Sequence, residues 1–518
     1  MAQEMARKKF AAPAGMLDEP GMRVQEDIHG HRLIPEQEPY MILLEALSLC
    51  AAHPLGSVET PSGQHEDFNY VLLHRKKLRF LLFQDRHLEQ VSSDDHIHEH
   101  EKWAKWKARV NQQYDPDGDE QDHFAYLDDK VNHRLDALLQ AVRLLRSREL
   151  DVMHNRRWTS RFLAVTGPDL IMTDMRESNG KFSADRRFFG RGGELIYLML
   201  NRSSRAKSVG VKVASRLLAP TDPMNDIARK LSDPNDNAGS NTRIGYLPCA
   251  VHPAYERLAE DWEQLLSLDG LPSAHLFEPL FRITGLNLFV YLAERAQEES
   301  NTSVREPILV DMTDGADARL REISKAHLNR HRHEANRAVR SFVEREALAD
   351  GAWQIAVEQD DPKAAREALK GRFKIKKLEG RPPPVGEQLD DLINDAITRD
   401  KNNIHTYLLP LTKGIGLVTA RQRVGSWFAM DDSLLFALVV ANVSEPMELR
   451  HFAKRLYERY GIVIGPEEAR QAFDKPEVGI PHFEGNLAAL EKRMTRIALT
   501  RRLSDDCAFV NNPYRARP

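Results

Sequence analysis

One segment restricts the possible folds of this chain more than any other. Residues 273–297, SAHLFEPLFRITGLNLFVYLAERAQ, carry large apolar side chains on more than one helical face. A helix of this kind cannot leave a whole side in water, so other elements have to cover most of its surface. The segment therefore predicts a central helix, or two helices that meet near Gly285, with the rest of the chain packed around it.

Length and charge set the broad class. A chain of 518 residues is too long for one ordinary core, which favours two to four domains. The hydrophobic share of 42% and the charged share of 29% are typical of a soluble globular protein. A formal net charge of −4 excludes a uniformly basic protein, but it leaves room for a local basic surface.

Cysteine use and apolar runs favour a soluble cytoplasmic protein. Cys50, Cys249 and Cys507 are far apart and form no CxxC pair, so neither a disulfide framework nor a zinc ribbon is expected. The apolar run from Leu434 to Val443 is about half the length that crosses a bilayer. The N-terminal lysines are followed by no apolar stretch of the signal-peptide kind.

The pattern along the chain predicts a predominantly helical, multidomain α+β protein. The expected parts are a flexible arm (1–39), a helical N-terminal domain (40–150), an α+β middle domain with a long helix (151–360), a basic Pro-rich linker (361–390) and a winged-helix-like C-terminal domain (391–518). Within the middle domain, RFLAVTGPDLIMTDM (161–175) predicts two strands around a Gly-Pro-Asp turn.

The C-terminal module is predicted from a compact series of elements. A buried helix at 433–443 follows two capping aspartates, and a second amphipathic helix stops at Gly461. A short strand, a helix opened by Pro466 and a further helix ending near Arg496 come next. A helix, a turn and a strand at the end of the chain are how a winged helix closes. Residues 487–518 hold seven basic and three acidic side chains.

Two sets of cations are therefore candidates for contact with a polyanion. Residues 181–216 hold nine basic side chains against two acidic ones, and Gly190, Gly192 and Gly193 let the backbone approach a ligand. The alternative for this stretch is a solvated surface with ion pairs inside the chain. The predicted nucleic-acid-binding residues are Arg186, Arg187, Arg191, Arg202, Arg205 and Lys207 in this stretch, and Arg493, Arg496, Arg501 and Arg502 in the C-terminal module.

Two acidic or imidazole clusters leave a metal-dependent activity open. His96, His98 and His100 alternate in DDHIHEHEKW, although no second ligand cluster at metal-site spacing follows. Asp311 and Asp314 come directly after the strand-like PILVDM, where α/β enzymes often hold metals, but a helix cap would also attract them. The sequence has no P-loop, GxGxxG or GxSxG motif, so no catalytic residue, cofactor or metal site is predicted.

Two stretches resemble a class of bacterial proteins. The tail, HFAKRLYERYGIVIG and NLAALEKRMTRIALTRRLSDDCAFVNNPY, and the middle runs RRFFGRGGELIYLML and YLPCAVHPAYERLAEDWEQLL look like accessory components of restriction-like antiviral defence systems, for example methylation-associated ones. The resemblance covers residues 158–297 and 431–514. It implies other proteins of the same system as partners and carries no catalytic residue across.

The expected function is that of a non-enzymatic DNA-binding or scaffolding subunit of a bacterial antiviral complex. One alternative is a metal-dependent nuclease of such a system, which would use the histidines or aspartates above. A second alternative is a scaffold that binds proteins only. Salt-dependent binding to DNA separates the first function from the last, because phosphate contacts weaken steeply with salt.

Overall fold

The structure of the chain is a computed structural model. It describes residues 15, 17, 19–31, 33–57, 66–116, 121–150, 157–178, 181–185, 190–236, 239–302, 305–376, 378, 380–398, 403–473, 479–502 and 508–515. Every structural statement below concerns these residues.

Helices dominate the described chain. About 61% of the described residues are helical and 8% are in strands, which confirms the predicted predominantly helical α+β class. The helices are α1 (Pro20–His29), α2 (Pro39–Ala52), α3 (Lys76–Phe83), α4 (His87–Ser92), α5 (Glu99–Tyr114), α6 (Asp128–Val131), α7 (Leu135–Arg146), α8 (Gly192–Arg202), α9 (Ala206–Arg216), α10 (Pro223–Leu231), α11 (Pro253–Leu266), α12 (Ser273–Glu299), α13 (Ala318–Leu348), α14 (Gly351–Glu358), α15 (Pro362–Arg372), α16 (Val385–Thr398), α17 (Ile404–Gly414), α18 (Asp432–Asn442), α19 (Leu449–Tyr460), α20 (Pro466–Ala472) and α21 (Ile480–Arg496).

The strands are short and form small, separate sheets. They are β1 (Asn69–Leu73), β2 (Met175–Ser178), β3 (Lys181–Ala184), β4 (Gly239–Arg243), β5 (Ile308–Leu309), β6 (Val418–Arg421), β7 (Gly425–Phe428), β8 (Met447–Glu448), β9 (Ile462–Val463), β10 (Thr500–Arg502) and β11 (Ala508–Val510). Strand β1 pairs with β4, β2 with β3, β5 with β9, and β6 with β7. A three-stranded sheet has the order β10-β11-β8.

Helix α12 is the predicted central helix, and it is continuous through Gly285. It packs against α2, α11, α13, α17 and α18, which together cover its apolar faces. A Cβ atom on Gly285 would lie 2.4 Å from the Ile415 side chain, so the glycine is what lets α17 approach. By length and composition α12 could cross a membrane, but 78% of its most apolar window is buried inside the protein, as in a core helix.

Hydrophobic packing joins distant parts of the chain. The largest core cluster runs from Leu33 to Val510 and includes buried side chains from the N-terminal, middle and C-terminal regions. A second cluster forms around the C-terminal half of α13, with α1, α14, α15 and α16. The predicted domain boundaries stay a prediction. The segment predicted as a flexible arm contains helix α1, and the segment predicted as a linker contains α15 and the beginning of α16.

The two strands predicted around Gly167 are wrong. This stretch instead contains a 3-10 turn at Pro168–Leu170. Strand β2 begins only at its last residue, Met175. The side chain of Arg75 donates hydrogen bonds to the carbonyl oxygens of Pro168 and Ile171, which a neighbouring strand would otherwise bond. The backbone acceptors are satisfied in this way without a sheet.

The C-terminal module, residues 431–515, packs on the middle of the chain through many contacts, and two of them position strand β9 and helix α19. Strand β9 pairs in parallel with β5, with Ile308 opposite Ile462. The second contact is the fully buried carboxylate of Asp261 on α11, which accepts hydrogen bonds from Arg459 and, at 2.8 Å, from the hydroxyl of Tyr460. These bonds fix α19 against α11.

Candidate nucleic-acid interface

The predicted cations of the first basic stretch are largely paired within the chain. Arg186 and Arg187 lie outside the described residues. Arg191, which precedes α8 with φ 68°, donates two hydrogen bonds of 2.9 and 2.7 Å to the fully buried carboxylate of Glu194. Burial opposes the charge of this guanidinium, but the Glu194 carboxylate outweighs it and raises the pKa of Arg191. Arg191 is thus committed to the interior network.

Arg202 is also a structural residue. Its side chain is 5% exposed and pairs with Glu66, whose side chain is fully buried, at 2.6 Å. The same guanidinium donates to the carbonyl oxygens of Leu247 and Cys249. A phosphate could reach Arg202 only if these bonds broke.

Arg205 and Lys207 lie at the surface. Arg205 donates a 2.6 Å hydrogen bond to Glu263 on α11, which raises the pKa of the arginine. Lys207 is exposed, and its stem packs against Gly56. Within the described residues Lys207 has no ion pair, so its charge faces solvent.

The predicted cations of the C-terminal module share a few carboxylates. Arg493 and Arg496 both pair with Asp432 at the beginning of α18, and together they lower the pKa of Asp432 although partial burial opposes its ionisation. Arg502 lies 3.5 Å from Glu491. Arg501 is exposed on the edge strand β10 and has no ion pair in the described part of the chain.

A groove beside α19 holds four lysine and arginine side chains against three glutamates. It consists of two adjoining depressions of about 480 and 250 Å³, here called the α19 groove. Its lining residues are Met447, His451, Lys454, Arg455, Glu458 and Arg459, and then Arg205, Glu260, Glu263, Gln264 and Ala441. The groove therefore brings Arg205 of the first basic stretch beside the C-terminal module, while Arg493, Arg496, Arg501 and Arg502 do not line it.

Ion pairs within this groove offset the charges of some of its basic side chains and not of others. Arg459 and Arg205 face Glu260 and Glu263, so their charges are largely offset. Arg455 is half-buried and has no hydrogen bond or ion pair among the described residues. Lys454 lies 3.8 Å from Glu458, and both are open to solvent, where such a pair contributes little. A local positive potential remains around Arg455 and Lys454.

The sequence argument missed His451, Lys454 and Arg455. The amphipathic pattern of residues 449–460 predicted the buried face of α19 correctly, since Phe452, Leu456 and Tyr460 are fully buried. The available signal was the opposite face, where these three basic residues follow helical spacing. Which outer faces line a groove depends on the neighbouring helix, and α11 lies about two hundred residues earlier.

The structure places the candidate metal ligands in ordinary surroundings. His96, His98 and His100 are all exposed, and the rings of His98 and His100 stack 5.7 Å apart. Asp311 is fully buried and accepts hydrogen bonds from Thr313, Gly315 and Trp427, while the exposed Asp314 pairs with Arg493. Among the described residues no three His, Cys, Asp or Glu side chains could share a metal ion.

Comparisons with known proteins identify no relative, so any functional proposal has to rest on the sequence, the fold and these surfaces. A scan against protein-family models finds no match, and searches of the curated proteins and of the solved structures find none either. The class that the fold itself defines is a predominantly helical α+β protein with a C-terminal module of short strands and helices.

Proposed function

We propose that this chain is a non-enzymatic nucleic-acid-binding and scaffolding subunit of a bacterial antiviral complex, and that it works in the cytoplasm. The observation that carries the nucleic-acid contact is the α19 groove, where Arg455 and Lys454 retain positive charge beside Arg205 and Arg459. The antiviral setting rests on the resemblance of residues 158–297 and 431–514 to accessory proteins of such systems.

The C-terminal module adopts, in this proposal, a winged-helix arrangement. Helix α18, strand β8, helices α19 to α21 and the hairpin β10–β11 follow one another in the chain. The first strand of the module pairs with the last, in the order β10-β11-β8, and all pairings in this sheet are antiparallel. Winged helices often place basic residues against phosphates, but they also serve as protein-binding modules.

The number of unpaired cations predicts a modest affinity. Lys454 and Arg455 offer about two phosphate contacts, since the other arginines of the groove are paired with Glu260, Asp261 and Glu263. Two contacts correspond to a slope of about −1.4 to −1.8 when the logarithm of the binding constant is plotted against the logarithm of salt concentration.

The test is binding of the full chain to fluorescent duplex and single-stranded oligonucleotides over a range of salt concentrations. Reversing Lys454 and Arg455 to Glu together is expected to weaken binding at least tenfold and to flatten the salt slope. The matched control is Arg450→Glu on the same helix, because Arg450 is exposed outside the α19 groove and lies 3.7 Å from Glu467. The control is expected to change binding less than twofold.

A protein-binding scaffold without nucleic-acid contact is the second candidate. The pairing of Arg191, Arg202, Arg493 and Arg496 with carboxylates of the chain itself favours it. If the double charge reversal and the control bind the oligonucleotides equally, or if the unmodified chain shows no salt-dependent binding, the nucleic-acid function is refuted and this scaffold remains.

A further inference from the structure

The C-terminal module has a second groove with a different character. It lies between the beginning of α19, helix α20, helix α21 and strand β11, and it has a volume of about 610 Å³. Its lining includes the apolar residues Leu449, Pro466, Leu487 and Ala488, of which Leu449 and Pro466 are buried and Ala488 is exposed. We call it the α20–α21 groove.

The rim of this groove is acidic. Four glutamates line it, Glu448, Glu467, Glu484 and Glu491, against the two arginines Arg450 and Arg470. Glu467 is 3.7 Å from Arg450, and Glu491 is 3.5 Å from Arg502. Glu448, Glu484 and Arg470 have no ion pair among the described residues, and the four glutamates and two arginines of the lining give it a net charge of −2.

This combination selects one kind of ligand. A nucleic acid would be repelled by the glutamates, and a purely apolar peptide would leave them without partners. A cationic segment with apolar residues on one side would bury those residues on Leu487 and Ala488 and would place its lysines or arginines beside Glu448 and Glu484. Helices lie in apolar grooves in this manner in many complexes.

We propose that the α20–α21 groove docks a basic, amphipathic segment of a partner protein. The segment inserts aliphatic side chains between α20 and α21, and its charges face the glutamate rim. The argument is independent of the α19 groove, because the two grooves share no lining residue.

The experiment measures fluorescence anisotropy of a labelled amphipathic peptide of leucine and lysine with helical spacing, added to the full chain. The double variant Glu448→Lys, Glu484→Lys is expected to weaken binding at least tenfold. The variant Ala488→Trp, which fills the groove from an exposed helix position, is expected to do the same without changing the charge. Thermal unfolding of each variant verifies that the fold is retained.

The matched control is Glu458→Lys, which reverses an exposed glutamate of α19 outside this groove. It is expected to leave peptide binding within twofold of the unmodified chain. Equal loss in this control, or equal binding of an all-lysine peptide of the same length, would overturn the proposal, because both indicate general charge attraction. Oligonucleotide binding by the Glu448/Glu484 variant is expected to persist, which separates a failure here from a failure of the nucleic-acid function.

Discussion

Arg202 and Glu66 form an ion pair with almost no contact to solvent. Removal of one partner from such a pair leaves a buried charge without compensation, which typically costs about 3–5 kcal/mol. We therefore expect Arg202→Ala to lower the free energy of unfolding by that amount, measured from the urea midpoint. A loss below about 1 kcal/mol would mean that Glu66 is hydrated or protonated in the folded chain.

The control at the residue scale is Arg205→Ala. Arg205 also pairs with a glutamate, but its side chain is 42% exposed, so solvent screens the interaction. Exposed ion pairs contribute about 0–1 kcal/mol. The two arginines are three residues apart in the sequence, and they differ in burial and in the two carbonyl oxygens, of Leu247 and Cys249, to which only Arg202 donates.

Several of the predicted nucleic-acid-binding arginines pair with carboxylates from distant parts of the chain. Glu66 is 136 residues from Arg202, and Asp432 is 61 residues from Arg493. A local charge count can identify that residues 181–216 are basic, but it cannot identify carboxylates that the fold brings from elsewhere. The same count could not find Arg455, whose groove exists only where α11 meets α19.

Helices α2 and α8 approach each other closely at Gly193. A Cβ atom at this position would lie 2.4 Å from the Cβ of Glu45 and 2.6 Å from the carbonyl oxygen of Ile42. The backbone of α2 cannot yield as a flexible side chain would, so we expect Gly193→Ala to destabilise the protein by about 1–3 kcal/mol. This cost exceeds the gain of about 1 kcal/mol that alanine brings to a helix.

Gly485→Ala is the matched substitution for this prediction. Gly485 lies inside α21, is exposed and has no atom within 4 Å of the added Cβ. Helix propensity alone then acts, and we expect a gain of about 0.5–1 kcal/mol. Thermal melting of both variants gives the comparison; stabilisation of Gly193→Ala would contradict the close approach of α2 and α8.

Elements with strong periodicity were predictable, and those without it were not. The long helix predicted from about Ala316 to Leu348 is α13, and the helices at 433–443 and 449–460 are α18 and α19. Asp431 caps α18 as predicted, through the backbone N–H of Leu434. The strand prediction for residues 161–174 failed because their apolar side chains line the core from irregular backbone. The alternation of apolar and polar residues does not distinguish such backbone from a strand.

At the scale of the whole molecule, the described residues include three buried histidines, His29, His74 and His331, whose pKa is lowered to about 4 or below. Burial lowers the pKa of His29 to about 3, and of His74 and His331 to about 4. The unfolded chain binds protons at these residues below about pH 6.5, so stability is complete above that pH and is lost as the pH falls. Burial raises the pKa of Asp174 to about 6, which acts in the opposite sense between pH 4 and 6.

Together these three histidines contribute a fall in the free energy of unfolding of at most about 4 kcal/mol per pH unit near pH 5, and the buried carboxyls with a raised pKa, which are Asp27, Asp85, Asp174, Asp236 and Glu468, oppose it. Urea unfolding from pH 7.5 to pH 5 measures this slope. His331→Asn is expected to reduce it by about 1.4 kcal/mol per pH unit. A slope that is unchanged in this variant would show that His331 is protonated in the folded protein.

The parallel pairing of β5 with β9 and the Arg459–Asp261 bond join α19 to the middle of the chain. Both grooves border this one helix, so two occupants bound at the same time would be separated by a constant interval. The distance between the two ligands would be set by helix α19 alone. A nucleic-acid strand in one groove and a polypeptide in the other would then be held side by side along the same helix.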